Sequence, residues 1–184
     1  NGNPRVLYVS VANLFEDVER DARAIGLRLP FVNGTTFSNK GASDIVSRSS
    51  NLFVSHSVLH SFTAQRLLKW LLAAKQTATP GNEPTLIVDE IHKSANASKR
   101  GAAAAALLDG AHAAGVHILV LSATFAANVP QLKLTAKVTG MVRSSVHPEH
   151  PVVEFTDLAR TLRRLGEAGL ETVSMQLRTS GGYV

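Results

Sequence analysis

The sequence predicts an α/β fold in which helices cover both faces of a parallel sheet. Its 184 residues are enough for one domain with a core, and at 45% hydrophobic they are too apolar for a disordered chain. Short apolar runs rich in β-branched residues alternate with segments of helical period. Because continuous apolar runs are typical of strands buried on both faces, we expect a doubly wound domain.

Four apolar runs are predicted to form strands, and the segments between them to form helices. The strands are expected at residues 6–11, 52–54, 86–88 and 116–121. The first helix has Asn13 as its expected N-cap and Gly26 at its end. Its expected apolar face consists of Leu14, Val18, Ala22 and Ile25.

Ser61 is the expected N-cap of the second helix, and the third helix is expected to span about residues 98–114. The third contains the alanine run 102–106, which favours a helix that lies close to the sheet. A further helix is predicted from Thr156 to Gly166. The residues expected to bury the second helix are Phe62, Leu67, Leu68, Trp70, Leu71 and Leu72.

Charge and composition narrow the class of protein. Nineteen Lys and Arg against fourteen Asp and Glu give a net charge of +5, which favours a polyanionic partner but is equally compatible with a merely solubilising surface. The chain contains no cysteine, which excludes disulfides and thiolate metal sites and fits an intracellular protein. No apolar run approaches the length of a membrane span, so we expect no membrane association.

The segment with the clearest chemistry is an apolar strand that ends in two carboxylates, Asp89 and Glu90, followed by His92. In an open parallel sheet, ligands bind beyond the carboxyl ends of the strands. Two acids there suit nucleotide hydrolysis, in which one holds Mg²⁺ and the other polarises the attacking water. Taken alone, the pair is also compatible with the start of a loop or a helix cap.

A second motif, Ser-Ala-Thr at residues 122–124, follows the next predicted strand. If the two strands are neighbours, these hydroxyls are expected to lie beside the carboxylates. Asp-Glu-x-His followed by Ser-Ala-Thr resembles motifs II and III of the first RecA-like domain of superfamily 2 helicases. Longer segments resemble the strawberry notch family within that superfamily, in the same order along the chain. They are residues 9–26, 53–59, 89–101 and 155–184.

The resemblance implies an ATP-dependent helicase or translocase, with ATP and Mg²⁺ as cofactors and nucleic acid, DNA favoured over RNA, as partner. It also implies a RecA-like, P-loop NTPase-type domain with three α/β/α layers. By the same resemblance Asp89 would hold Mg²⁺ through water, Glu90 would be the catalytic base, and His92 would act with them. Ser122, Ala123 and Thr124 would couple hydrolysis to strand movement. The residues expected at the nucleic acid are Ser10, Ser55, His56, Lys93, Lys99 and Arg100.

The expected organisation is a partial RecA-like domain at residues 1–150 and a helical extension at 151–184. No Gly-x-x-x-x-Gly-Lys-Ser/Thr motif occurs in the chain. We therefore expect the phosphate loop and the second RecA-like domain to lie outside it, and the isolated chain to be inactive. Its expected location is intracellular, in the nucleus or the cytoplasm, with a bacterial or phage origin compatible with the family.

The residues leave alternative functions open. A catalytically silent helicase-like module that binds protein or nucleic acid is favoured by the missing phosphate loop. A metal-dependent nuclease that uses the same acids lacks the further carboxylates of a two-metal site. The pairs His56 with His60 and His147 with His150 have spacings that metal ligands can adopt, but no cysteine or carboxylate pattern accompanies them.

Overall fold

A five-stranded, all-parallel sheet forms the centre of the computed structural model, which describes residues 5–26, 31–32, 51–93, 98–122, 136 and 155–179. The predicted α/β fold with a parallel sheet is confirmed. The strands lie in the order β2-β3-β1-β4-β5. They are β1 (Val6–Ser10), β2 (Phe31–Val32), β3 (Leu52–Ser55), β4 (Thr85–Asp89) and β5 (His117–Leu121). β2 was not predicted, because two residues carry no period.

Helices lie on both faces of this sheet. Successive side chains of a strand point to opposite faces, so strands made of apolar residues need cover on both faces. The described helices are α1 (Phe15–Ala24), α2 (Ser61–Gln76), α3 (Lys99–Ala113) and α4 (Phe155–Thr179). Helices α2 and α3 pack together on one face, where Leu7, Val54 and Leu86 are buried. Helix α1 packs on the other face, over Phe53 and Ile87. None of the helices within the described ranges is long and apolar enough to cross a membrane.

Strand β5 departs from the expectation that every strand is buried on both faces. Leu119 is 48% exposed, and His117 is exposed as well. Both point to the face that α1 covers, and the apolar contacts of α1 on that face reach Ile87 of β4 but not β5. The position of β5 at the edge of the sheet therefore leaves one of its faces partly open.

The helix starts follow local capping, which the sequence predicted in part. The expected start of α3 near Ser98 is confirmed, since the Oγ of Ser98 accepts a hydrogen bond from the backbone N–H of Gly101 at 3.1 Å. For α2 the N-cap is His60 and not Ser61, because a ring nitrogen of His60 accepts from the backbone N–H of Thr63. The usual N-cap residues are Ser, Thr, Asp and Asn, so the sequence did not indicate a histidine in this role.

Two further expectations about helices were wrong, and a third was confirmed. Asn13 does not cap α1, because a short 3-10 turn at Ala12–Leu14 precedes the helix. Ile25 is 75% exposed, since α1 ends at Ala24. The expected end of the last predicted helix at Gly166 is confirmed: α4 consists of two helical segments that meet at Gly166, where φ is 59° and ψ is −140°, and the second segment, which was not predicted, reaches Thr179. Glycine permits such a conformation without the clash that a Cβ atom causes.

Candidate active site

The polar residues singled out in the sequence converge on the edge formed by the carboxyl ends of the strands. β1 is followed by α1 on one face of the sheet, whereas β4, its neighbour, is followed by α3 on the opposite face. The chain thus leaves two adjacent strands in opposite directions, which opens a crevice between them. Ligands of open α/β sheets bind at such a crevice. Ser10 and Asp89, the last residues of β1 and β4, meet there.

Two hydroxyl groups hold the carboxylate of Asp89. The Ser10 hydroxyl donates to Oδ2 of Asp89 at 3.0 Å, and the Tyr8 hydroxyl donates to the same oxygen at 3.2 Å. Both donors belong to β1 and lie on one face of the sheet because they are two residues apart. Tyr8 was missed in the sequence, although its spacing from Ser10 was a signal that could have identified it. The carboxylate is therefore fixed in orientation before any ligand binds.

Tyr8 is itself held by an aromatic cluster on the α1 face of the sheet. Its ring stacks on Phe53 with a centroid distance of 5.6 Å, and Phe15 of α1 meets Phe53 edge to face at 5.2 Å. Burial, followed by the negative charge of Asp89 and the hydrogen bond to it, raises the pKa of Tyr8. The phenol consequently stays protonated and remains a hydrogen-bond donor to the carboxylate.

His56 supports the backbone of Asp89. Its Nε2 lies 2.7 Å from the backbone carbonyl oxygen of Asp89 and must donate to it, because a carbonyl only accepts. The side chain is buried, and this burial lowers the pKa of His56 against the opposing effects of the hydrogen bond and the charge of Asp89. A neutral imidazole therefore links the end of β3 to the end of β4.

Glu90, His92 and Ser122 form a contact chain that joins the ends of β4 and β5. Nδ1 of His92 lies 3.0 Å from Oε2 of Glu90 and 3.1 Å from Oγ of Ser122. An ionised carboxylate can only accept, so the Nδ1 proton is donated to Glu90 and shared with the serine oxygen. The strands β4 and β5 are neighbours, and the expected proximity of Ser122 to the carboxylates is confirmed. Ala123 and Thr124 lie outside the described residues.

The backbone of Glu90 is strained. Its φ is 52°, and it is the one residue other than glycine with a positive φ among those described. A side chain in this left-handed region costs roughly 1–2 kcal/mol. Such strain is concentrated at sites where a particular geometry serves a function. Here the turn at Glu90 brings its carboxylate to His92, which lies in the 3-10 turn Ile91–Lys93 directly after β4.

The residues fit a magnesium ion. Within the described part of the chain, both hydrogen bonds to the Asp89 carboxylate go to Oδ2. Oδ1 is therefore the oxygen that would meet a cation or its water. No Lys or Arg of the described residues forms an ion pair with Asp89 or Glu90. Mg²⁺ is bound through one or two carboxylates together with substrate phosphates and waters, and hydroxyl donors that orient the carboxylate are typical support for it.

The residues expected at nucleic acid fall into two groups. The side chains of Ser10, Ser55 and His56 are buried, and each makes a hydrogen bond within the protein. Ser55, for example, lies 2.7 Å from the Ser57 hydroxyl and also accepts from the Ser57 backbone. These side chains make hydrogen bonds within the protein, and the expected contact of these three positions with a phosphate stays a prediction. The second group is exposed and consists of Lys93, Lys99 and Arg100.

A family model described as P-loop containing NTP hydrolase pore-1 matches residues 1–184, which is the whole chain. No curated protein gave a significant match. Together with the parallel sheet, the match confirms a P-loop NTPase-type fold and indicates nucleotide hydrolysis as the general activity of the family. The narrower resemblance to strawberry notch helicases stays a prediction. The chain belongs to the P-loop containing NTP hydrolase pore-1 family.

Proposed function

We propose that this chain is the part of an ATP-dependent helicase or translocase that supplies the magnesium-binding and catalytic carboxylates. The observation that carries the proposal is the contact chain from Glu90 through His92 to Ser122. A single imidazole nitrogen contacts both the acid that would handle the attacking water and a hydroxyl on the neighbouring strand. Hydrolysis at Glu90 and the position of β5 are therefore coupled.

Each residue has a definite task in this proposal. Asp89, oriented by Ser10 and Tyr8, would hold Mg²⁺ through water, and the bound ion would supply positive charge opposite the phosphates of the nucleotide. Glu90 accepts a proton from the water whose oxygen attacks the γ-phosphorus, while the bond from that phosphorus to the ADP oxygen breaks. The products are ADP and inorganic phosphate.

His92 would link the protonation state of Glu90 to the neighbouring strand β5. While the Glu90 carboxylate is ionised, it competes with the Ser122 oxygen for the Nδ1 proton of His92. Once Glu90 has taken a proton from water, its attraction for this N–H weakens and the bond to Ser122 strengthens. In the proposed motor, this exchange moves the segment after β5, which contains Ala123 and Thr124, and thereby changes the hold on nucleic acid.

The proposal requires a phosphate-binding loop from outside the 184 residues, because no such motif occurs within them. It also requires the second RecA-like domain as a partner, which would close the nucleotide cleft. The absence of the loop motif favours one competing function, a catalytically silent module that binds nucleic acid or protein. The two functions differ in a single property, which is turnover of ATP.

The test is ATP hydrolysis by the full-length product of the gene that encodes this chain, measured with and without single-stranded DNA, duplex DNA and RNA. We expect magnesium-dependent hydrolysis that nucleic acid stimulates, most strongly DNA, and displacement of a protein block from the strand during turnover. Binding of nucleic acid without any hydrolysis would support the silent module. Hydrolysis that no nucleic acid stimulates would contradict the motor and leave a plain NTPase.

A further inference from the structure

Phe62 is an exposed aromatic residue at the start of α2, where the sequence predicted a core position. Its side chain is 53% exposed. Its ring lies nearly parallel to the ring of His60, with an interplanar angle of 10° and centroids 6.5 Å apart. The guanidinium carbon of Arg66, one helical turn further on, lies 4.3 Å from the centroid of the Phe62 ring. The His60 ring, the Phe62 ring and the Arg66 guanidinium thus lie together in one exposed cluster, which we call the stacking surface.

The stacking surface is held in place by the helix beneath it. His60 is the N-cap of α2, and its ring nitrogens contact the backbone and hydroxyl of Thr63, which is fully buried. Phe62 is not needed to attach α2 to the sheet, because Leu67 and Leu71 are completely buried there. An aromatic ring that is exposed and dispensable for packing is a candidate for binding.

Positive charge surrounds the stacking surface. A cavity of about 330 Å³ lies between α2 and α3, and its lining includes His60, Gln65 and Lys99, so both helices contribute to one groove beside the surface. The first turn of each helix contains no acidic residue, and across the two helices the sequence has one, Asp109, near the end of α3. The exposed cations of these helices are Arg66, Lys69, Lys99 and Arg100.

We propose that the stacking surface binds the bases of single-stranded nucleic acid, while Lys99 and Arg100 contact its phosphates. This inference rests on the proposed function and deepens it by naming where the strand is held. Bases stack on aromatic rings and on guanidinium planes, and every base has such a face. In a duplex the faces are hidden by their neighbours, so the surface selects single strands. The lack of acids on this side matches the charge of the backbone.

The test compares two labelled strands of equal length, oligothymidine and an abasic strand with the same phosphates, in fluorescence anisotropy with the 184-residue protein. Because one stacked base contributes roughly 1–3 kcal/mol, we expect the wild type to bind oligothymidine about tenfold more tightly than the abasic strand. Phe62→Ala should abolish that preference and leave the affinity for the abasic strand unchanged. The matched control is Ile25→Ala, which truncates an exposed apolar side chain just after α1 and should preserve the preference.

A second pair of variants separates charge from stacking. Lys99→Ala should weaken binding of both strands equally and reduce the salt dependence by about one phosphate contact. Arg164→Ala removes the same charge from exposed α4 and should leave both affinities unchanged. Thermal melting of each variant should match the wild type, because all four side chains are exposed.

Two outcomes would overturn the inference, and they differ in what they say about the proposed function. Salt-dependent binding without preference for oligothymidine, or a preference that Phe62→Ala retains, contradicts the stacking site but leaves the motor intact. Failure of the wild type to bind either strand contradicts the stacking site and removes the support for nucleic acid as partner. Hydrolysis by the full-length protein is scored separately, so the two failures remain distinct.

Discussion

Two polar regions lie at the same edge of the sheet and differ in almost every physical respect. The carboxylate edge, formed by Ser10, Asp89, Glu90 and His92, is partly buried, negatively charged and built from strand ends. The stacking surface around Phe62 is exposed, positively charged and built from the starts of helices. Fixed and shielded groups suit a reaction at one phosphorus atom. Exposed rings and cations suit a long flexible polyanion.

The comparison also bears on Ser10, Ser55 and His56, for which the family resemblance implies contact with nucleic acid. Their side chains are buried and engaged within the protein, so that contact stays a prediction. Ser10 and His56 hold Asp89, whereas the side chains at the helix starts are exposed. The predictions that follow separate the two regions, beginning with the largest effect.

Asp89→Asn should give the largest difference between the two regions, because it should impair hydrolysis at the carboxylate edge and spare binding at the stacking surface. The amide keeps an acceptor oxygen for Ser10 and Tyr8 but loses the charge that Mg²⁺ requires. We expect hydrolysis by the full-length protein to fall at least about 100-fold, because even the supporting partners of a metal ligand contribute 10–100-fold. Binding of oligothymidine should stay within about twofold of the wild type. Loss of both activities together would show that the regions are not independent.

Ser10→Ala should raise the magnesium concentration needed for half-maximal hydrolysis by about tenfold, since it removes one of the two hydroxyls that orient Asp89. Ser55→Ala is the matched control. Ser55 is paired with Ser10 in the register of β1 and β3 and is equally buried, but its hydrogen bonds go to Ser57. The control should keep the magnesium requirement of the wild type. Equal shifts in both variants would contradict the orienting role of Ser10.

Glu90→Gly should separate backbone strain from chemistry. Glycine adopts the positive φ of this position without cost, so the free energy of unfolding should stay level or rise by up to about 1 kcal/mol in urea denaturation. Hydrolysis should nevertheless be lost. Glu90→Gln retains the strain and should unfold like the wild type. A loss of stability in the glycine variant would mean that the contact of Glu90 with His92 outweighs the strain.

The smallest predicted effect concerns His56, whose protonation should make the free energy of unfolding depend on pH. Burial lowers its pKa, so the unfolded chain takes up this proton at a higher pH than the folded protein. The contribution of neutral His56 is complete above about pH 6.5, the ordinary histidine pKa, and is lost as the pH falls below it toward the lowered value.

The measurement is urea denaturation against pH in magnesium-free buffer. The slope due to His56 should be less than about 1.4 kcal/mol per pH unit, and His56→Gln should remove it while retaining an N–H donor for the Asp89 carbonyl. Identical pH profiles for the variant and the wild type would show that folding does not lower the pKa of His56.

The carboxylate edge was predictable from the sequence because the sequence context of its residues indicates where they lie in the sheet. Asp89 and Glu90 interrupt an apolar run, and polar residues that end a strand can only lie at the sheet edge. The order of the strands, which brings Ser10 beside Asp89 and Ser122 beside His92, depends on tertiary packing. The motif resemblance anticipated part of that proximity, but periodicity alone does not reveal it.

The stacking surface was not predictable for a related reason. Phe62 precedes the buried residues of α2 by a spacing that fits the apolar stripe, so composition assigned it to the core. Phe62 is nevertheless exposed, whereas Thr63 and Ala64 in the same turn of α2 are buried, so the first turn buries a different side from the one that the apolar stripe indicated. Capping by His60 was equally hidden, since histidine seldom caps.

The central claim is that Glu90 is the base of an ATP-hydrolysing site, and Glu90→Gln tests it most directly. The substitution keeps size, backbone and an acceptor oxygen while removing the ability to take a proton. We predict that hydrolysis by the full-length protein at saturating DNA and magnesium falls by roughly 10²–10⁴-fold, with binding of DNA unchanged. Glu171→Gln on exposed α4 should keep full activity. Undiminished turnover in Glu90→Gln would contradict the account.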